Sequence, residues 1–191
     1  MPITKIDPKA TALVLIDLQK GIARQLVEPH NSDAVICRGA ELARAFRKAG
    51  APVVLVRVGF SHDAAEMLHP ETDQPHPTPG PRAPDFSEFV EELGRTDSDI
   101  VVTKHNWGAF FGTDLDVQLR RRGIKTIVLG GISTNLGVES TARQAHEHAY
   151  NMIFVEDAMA SFSGSDHAHA VERIFPRIGK VSSTEEVLAA L

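Results

Sequence analysis

The sequence is poor in cysteine, in clustered basic residues and in long apolar runs. Its 191 residues include one cysteine, Cys37, which cannot form an internal disulfide and therefore agrees with a reducing compartment. The net charge is -5 and the basic residues are scattered, which argues against a nucleic-acid or anionic-membrane partner. No apolar run approaches the length of a membrane span, and the N-terminus lacks a secretion signal. These absences predict a cytoplasmic protein that binds a small molecule.

Apolar runs alternate with stretches of helical spacing. Five continuous runs rich in valine and isoleucine, at 12–16, 53–58, 100–103, 126–129 and 152–155, are typical of strands buried on both faces, and 178–181 is a candidate edge strand. Helical spacing occurs at 34–48, 115–122, 136–149, 167–175 and 185–191. The alternation predicts one α/β domain over residues 1–191, with three α/β/α layers around a doubly wound, mainly parallel six-stranded sheet. In such folds the ligand site lies outside the carboxyl ends of the strands.

The segment from residue 59 to residue 99 interrupts this alternation. Residues 69–84 include six prolines and show little periodicity. A loop of this length in a compact domain is usually a lid or a binding loop. We expect it to contain at most one short helix, near residues 86–93.

Two charged residues directly follow buried strands. Asp17 closes the run TALVLID and Lys104 closes the run DIVVTK. A carboxylate at the end of a buried strand must be paired, hydrogen bonded or neutral. Because the ends of parallel strands share one edge of the sheet, we expect the Asp17 carboxylate and the Lys104 ammonium within about 4 Å of each other. Taken alone, Asp17 also fits a helix cap and Lys104 also fits a solvated loop residue.

A glycine-containing turn, GGISTNLGVESTAR at residues 130–143, connects a predicted strand to a predicted helix. Thr134 or Asn135 can cap that helix, and its free N-terminal amides can hold an anion. Turns of this kind also occur for purely structural reasons.

Three segments in order, TALVLIDLQKGI, VVTKHNWGAFFGTDLDVQLRRRGIKTIVLGGISTNLGVESTARQA and MIFVEDAMAS, resemble the isochorismatase-like hydrolases, also called cysteine hydrolases. The resemblance implies a catalytic aspartate, lysine and cysteine, and Asp17 and Lys104 match the first two. The cysteine position falls on Gly137, which has no side chain to attack a carbonyl. The resemblance also implies a non-prolyl cis peptide bond at Ile132–Ser133. It further implies backbone groups around Ser133 and Thr134 that stabilise an oxyanion.

The resemblance and the neighbouring sequence together suggest five substrate-binding residues. Gln19 is similar to a polar residue that lines the pocket in the family, and Asn135 belongs to the turn. Phe60, Trp107 and Phe110 flank the site in sequence, although core packing explains each of them as well. Some nicotinamidases of the family hold a metal after the second strand, but their ligand spacing is not reproduced here, so we expect no metal and no other cofactor.

Without the cysteine, the resemblance implies a hydrolase that acts on a small carboxylate or cyclic substrate through acid–base chemistry of Asp17 and Lys104. Isochorismatases of the family cleave a vinyl ether in this way. Ser133 is a conceivable replacement nucleophile, but the sequence offers no obvious base for it. Two alternatives remain open, a non-catalytic small-molecule binding protein and an amidase that uses an activated water. Relatives commonly assemble, so we expect a homodimer or larger, with a contribution from apolar residues of the segment 138–159.

Overall fold

The computed structural model describes residues 5–74 and 82–191. Residues 1–4, part of the proline-rich segment and His76 lie outside the described residues. Within the described part the strands are β1 (Thr11–Ile16), β2 (Val53–Val58), β3 (Ile100–Lys104), β4 (Thr126–Ile132), β5 (Asn151–Ala160) and β6 (Lys180–Ser182). They form one parallel sheet in the order β3-β2-β1-β4-β5-β6. The predicted doubly wound parallel sheet is therefore confirmed.

Most helices lie where the periodicity predicts them, whereas the short helix Lys20–Ala23 was not predicted. They are α1 (Lys20–Ala23), α2 (Ser32–Lys48), α3 (Leu115–Arg121), α4 (Glu139–Glu147), α5 (Gly164–His169), α6 (Phe175–Ile178) and α7 (Thr184–Ala190). A π-helical turn, Thr134–Val138, leads into α4, and a second one, Ala170–Ile174, joins α5 to α6. The short helix expected near residues 86–93 is only a 3-10 turn, Glu91–Leu93.

The central strand shows why the apolar runs are continuous. Ala12, Val14 and Ile16 of β1 pack into the core on one face of the sheet. Leu13 and Leu15 pack into the core on the other face, against apolar residues of α2. Every position of β1 is therefore buried, as expected for a strand covered by helices on both sides.

The carboxyl ends of β1, β3 and β4 meet at one edge of the sheet and bring the candidate residues together. Asp17 follows β1, Lys104 ends β3, and Ser133 follows β4. Strand β4 can approach β1 closely only because position 131 is glycine. Gly131 has a φ of 127°, and a Cβ there would lie 2.1 Å from the carbonyl oxygen of Ile16.

Helix length and the burial of apolar residues bear on possible membrane and protein partners. Within residues 5–74 and 82–191, no helix is long and apolar enough to cross a membrane. The expected contribution of the segment 138–159 to assembly is corrected by the structure, because apolar side chains such as Val138, Phe154 and Met159 are already buried in the core of this chain. The homo-oligomer itself stays a prediction.

Candidate active site

Asp17 and Lys104 form a buried ion pair at the edge of the sheet. The Lys104 Nζ lies 2.8 Å from Asp17 Oδ2 and also donates to the carbonyl of Asn106 at 3.1 Å. Asp17 has a φ of 53°, in the left-handed region, and its amide donates to the carbonyl of Val56. The lysine reaches across β2 to meet the aspartate. Their separation is within the 4 Å expected from the sequence.

The two oxygens of Asp17 have different surroundings. Oδ2 accepts from Lys104, whereas Oδ1 is buried and has no hydrogen-bond partner among the described residues. Burial raises the pKa of Asp17 from 3.8 to about 6, because desolvation disfavours the charged carboxylate by more than the Lys104 ammonium favours it. Asp17 can therefore hold a proton close to neutral pH, and Oδ1 is the oxygen with no competing partner.

Gly137 lies directly beside this carboxylate. A Cβ at position 137 would lie 3.2 Å from Asp17 Oδ2 and 3.0 Å from Cγ2 of Ile16. A cysteine side chain at this position would start next to the Asp17 carboxylate, which agrees with the alignment of Gly137 to the nucleophile of the cysteine hydrolases. The Ile132–Ser133 peptide bond before the turn is cis, as the resemblance implies.

A cavity of about 780 Å³ opens in front of the ion pair. Of the predicted residues, Asp17, Lys104, Phe60, Trp107, Ser133 and Gly137 line it. The rest of the wall is mainly apolar, with Ile22, Val58, Met67, Leu68, Pro70, Ile132, Leu136 and Phe162. The loop that interrupts the sequence pattern supplies one side of this wall, as expected for a binding loop. Asp17 is the one carboxylate among the described lining residues.

Arg82 is a lining residue that the sequence analysis missed. Its guanidinium carbon lies 4.6 Å from the ring centre of Phe60 and 5.5 Å from that of Phe86. No carboxylate lies within 4 Å of this guanidinium in the described ranges, and its Nη2 donates to the sulfur of Met67 at 2.8 Å. One sequence signal was available, since Arg82 is the only lysine or arginine between Arg57 and Arg95.

Gln19 does not reach the cavity, which corrects the prediction that it binds substrate. Its side chain is fully buried, and its Nε2 donates to the carbonyls of Val58 and Phe86 at 3.0 and 2.9 Å. Its Oε1 accepts from the amide of Val58 at 2.8 Å. Gln19 therefore ties the long loop to the ends of β1 and β2.

Phe110 and Asn135 are also absent from the described cavity wall, which corrects two further predictions of substrate binding. Thr134 is absent from it as well, but the prediction for Thr134 concerns its backbone and stays a prediction. Phe110 is buried in the core and stacks on His148 at a ring separation of 5.2 Å. The Asn135 side chain accepts from Ser161 at 2.6 Å. Thr134 is fully buried, and its hydroxyl lies 2.9 Å from Nδ1 of His167. For Thr134 and Asn135, closeness in sequence to Gly137 was a poor guide because adjacent residues of a helical turn point in different directions.

Ser133 lines the cavity, but the structure gives its hydroxyl no base. Its Oγ lies 3.3 Å from Asn135 Oδ1, its one side-chain hydrogen bond among the described residues. Cys37 is exposed on α2 and is not among the lining residues described. Neither Ser133 nor Cys37 therefore has the surroundings of an activated nucleophile among the described residues.

A second polar cluster, formed by His30, Glu156 and His167, was not anticipated. The Nε2 atoms of His30 and His167 lie 2.8 and 3.2 Å from the same oxygen, Oε1 of Glu156. The Nδ1 of His167 lies 2.9 Å from the Thr134 hydroxyl. Hydrogen bonds from His167 and His30 outweigh partial burial and hold the pKa of Glu156 at about 2. The cluster therefore contains an ionised carboxylate and is connected to the turn that contains Gly137.

Known proteins match this chain over nearly its whole length. A family model of the isochorismatase domain matches residues 11–186. The chain is 50% identical over 188 residues to the uncharacterized isochorismatase family protein YecD of Escherichia coli O157:H7, covering 98% of this chain and 99% of the relative. It is 52% identical over 184 residues to the uncharacterized isochorismatase family protein YwoC of Bacillus subtilis (strain 168), covering 96% and 95%.

The same similarity extends to solved structures and to relatives whose names state an activity. An isochorismatase family protein from Burkholderia thailandensis superimposes with a TM-score of 0.94 at 48% identity, covering 99% of this chain and 98% of that one. Ureidoacrylate amidohydrolase RutB of Methylorubrum extorquens (strain DSM 6343 / CIP 106787 / DM4) is 31% identical over 174 residues, covering 80% of this chain and 70% of the relative. With this span of matching sequence and the shared fold, the chain belongs to the isochorismatase family.

Proposed function

We propose that the protein is a hydrolase that cleaves an enol (vinyl) ether of a small carboxylic acid by acid catalysis, without a covalent intermediate. One observation carries this proposal. The Asp17 carboxylate has Lys104 on Oδ2, no partner on Oδ1, and a glycine where the family's nucleophile would stand. This arrangement suits proton donation and leaves no thiol for acyl transfer.

The cavity suits a small acid with an apolar body. Arg82 offers a planar guanidinium that can bind a substrate carboxylate through two hydrogen bonds. Phe60, Trp107 and Leu136 offer apolar surface for a ring or a hydrocarbon chain. Because Asp17 is the one carboxylate among the described lining residues, an anionic substrate meets little repulsion once Asp17 is protonated.

The reaction begins with transfer of the Asp17 carboxyl proton to the terminal carbon of the enol ether. The carbon attached to the ether oxygen becomes an oxocarbenium ion, and water adds to it. The resulting hemiketal releases an alcohol and a keto acid, and the proton lost by water restores Asp17. Lys104 remains on Oδ2 throughout and stabilises the carboxylate that forms when the proton leaves.

An amidase that uses activated water is the second candidate, and the RutB relative is the observation that favours it. In that reaction Asp17 acts as a base towards water instead of an acid towards carbon. Gly137 lines the cavity beside Asp17 and presents no side chain there, so a water or a substrate group in the cavity can approach the carboxylate. The two candidates require opposite protonation states of Asp17, so experiment can separate them.

The test uses the purified full chain and a panel of enol ethers, amides and esters of small carboxylic acids, with isochorismate as the first enol ether. We expect release of a keto acid from an enol ether. Asp17→Asn should lower turnover by about 10²- to 10⁴-fold, the usual contribution of a general acid. Asp97→Asn, an exposed aspartate, is the matched control and should leave turnover unchanged.

Arg82 supplies a separate check of the substrate class. Arg82→Gln should raise the KM for a carboxylate substrate and leave turnover of a neutral ester of the same substrate unaffected. Amide turnover without enol ether cleavage would favour the amidase. Binding of a small acid that depends on Asp17, with no turnover of any substrate in the panel, would favour a binding protein on this fold.

A further inference from the structure

The cluster of His30, Glu156 and His167 has the donor set of a metal site. It offers two imidazole nitrogens and one carboxylate oxygen, all within 4.8 Å of one another. Two histidines and one carboxylate are the protein ligands of zinc sites that keep a fourth position open for water. We propose that these residues bind one divalent transition-metal ion, with zinc as the ion that matches best. This departs from the expectation of no metal, which rested on the ligand spacing after the second strand.

The distances between the ligand atoms fit this assignment. In a tetrahedral zinc site with bonds of about 2.0 to 2.1 Å, neighbouring ligand atoms lie about 3.3 Å apart. The two nitrogens lie 2.8 and 3.2 Å from the same carboxylate oxygen. A pair of simple hydrogen bonds would allow each imidazole its own oxygen of Glu156. Convergence on one oxygen instead places both nitrogens close to it, and all three ligand atoms lie within 4.8 Å of one another, as a shared ion requires.

Thr134 supplies the support that a metal-bound histidine needs. Histidine ligands usually hydrogen bond through the ring nitrogen that faces away from the metal, and this bond fixes the orientation of the ring. The Nδ1 of His167 lies 2.9 Å from the Thr134 hydroxyl. With its proton on Nδ1, His167 donates to Thr134 and directs the Nε2 lone pair towards the ion.

The three ligands are held in place by contacts that do not involve the ion. His30 follows a short bridge in which the amides of Glu28 and Ser161 donate to each other's carbonyls at 2.7 and 2.8 Å. Glu156 belongs to β5, and His167 belongs to α5, whose first turn is capped by the Ser163 side chain. The site is therefore largely formed before an ion binds.

Burial leaves one side of the site open. His167 is 4% exposed, whereas the side chains of His30 and Glu156 are 31% and 34% exposed. The ion can enter from the exposed side and keep water as a fourth ligand. Because Thr134 begins the turn that contains Gly137, the ion would steady this turn through His167, and we assign it this positioning role only.

The test measures metal binding directly. Metal-free protein, prepared with a chelator and then dialysed, is titrated with Zn²⁺ by calorimetry, and the bound metal is counted by elemental analysis. We expect one equivalent per chain and a rise in Tm on loading. Loading with Co²⁺ should give the intense visible absorption of a tetrahedral site. These readouts are independent of turnover, so they remain valid if the proposed hydrolase activity is wrong.

Variants identify the ligands. His30→Ala and the isosteric Glu156→Gln should each weaken Zn²⁺ binding by at least about 100-fold, and Thr134→Val should weaken it by about 10- to 100-fold. His169→Ala removes an exposed histidine two residues from His167 on the same helix and should leave binding unchanged. If the folded wild type takes up no zinc, or if Glu156→Gln binds it as tightly as the wild type, the cluster is only a hydrogen-bonded network and the proposal is wrong.

Discussion

The direction of the pH dependence decides whether Asp17 acts as an acid or a base. Its pKa of about 6 means that Asp17 is mostly protonated at pH 5, about one tenth protonated at pH 7 and about one hundredth protonated at pH 8. If the protonated form donates the proton, kcat/KM for an enol ether should fall about tenfold for each pH unit above 6. Between pH 5 and pH 8 the loss should approach a factor of 100.

The assay follows keto acid release by stopped-time sampling over pH 4.5 to 8.5 at constant ionic strength. Asp97→Asn should reproduce the wild-type profile. Asp17→Asn should show a low and nearly flat rate, since its amide does not titrate. A wild-type rate that rises through pH 6 would refute proton donation by Asp17 and indicate the base role of an amidase.

The same titration affects folding stability. The native state binds the Asp17 proton more tightly than the unfolded chain does, so this contribution to stability is fully present below pH 3.8 and is lost as pH rises to about 6. The difference in pKa corresponds to about 3 kcal/mol. Urea unfolding at pH 4 and pH 7 should therefore show the wild type losing about 2 kcal/mol relative to Asp17→Asn, because part of the contribution is already lost at pH 4. An unchanged difference between the two proteins would mean that burial does not raise the pKa of Asp17.

Three further predictions concern Lys104, Cys37 and Gly137. Lys104→Met removes the charge that lowers the pKa of Asp17, so the fall in kcat/KM should begin at a higher pH. The control Lys125→Met changes an exposed lysine and should leave the pH profile unchanged. An unchanged profile in Lys104→Met would contradict the interaction between Lys104 and Asp17. Complete alkylation with iodoacetamide should leave wild-type turnover nearly unchanged, as should Cys37→Ser, and loss of turnover in both folded proteins would make Cys37 catalytic. In the Cys37→Ser background, Gly137→Ala and Gly137→Cys should both slow enol ether cleavage, because the new side chain crowds Asp17. Only Gly137→Cys should form a covalent adduct with an activated ester, which mass spectrometry can measure. Absence of the adduct would show that a side chain at position 137 does not face the cavity.

The strands and the ion pair could be predicted because their signals are local. A strand buried on both faces needs a continuous apolar run, and the polar residue after such a run must lie at the sheet edge. The predicted runs ended early in β4 and β5, however. Strand β4 continues through Gly130 and Gly131, which pair with Leu15 and Ile16 although glycine contributes no apolar side chain. Backbone hydrogen bonds with β1 extend the strand here, and the residue types in the sequence do not indicate such bonds.

The second half of β5 was not predicted for a different reason, because it contains charged residues. Glu156 and Asp157 are unfavourable in a strand unless other parts of the chain satisfy them. Asp157 accepts from the amide and the hydroxyl of Thr184 at 2.7 and 2.8 Å, and Glu156 accepts from two histidines. These partners lie 11 to 126 residues away in sequence. The single sequence cannot show such pairings, and for the same reason it missed Arg82 and the second cluster.

The glycine at position 137 and the raised pKa of Asp17 belong to one physical arrangement. A cysteine at position 137 would begin 3.2 Å from Asp17 Oδ2, close enough for the thiol to take up the hydrogen-bonding capacity of the carboxylate. With glycine there, Oδ1 has no partner among the described residues, and Lys104 on the other oxygen together with the backbone at Val58 offsets the desolvation of the carboxylate only in part. The buried carboxylate therefore retains a proton at higher pH, and that proton can go to a substrate instead of being exchanged with a thiol. In the proposed reaction, this arrangement therefore suits Asp17 to donate a proton.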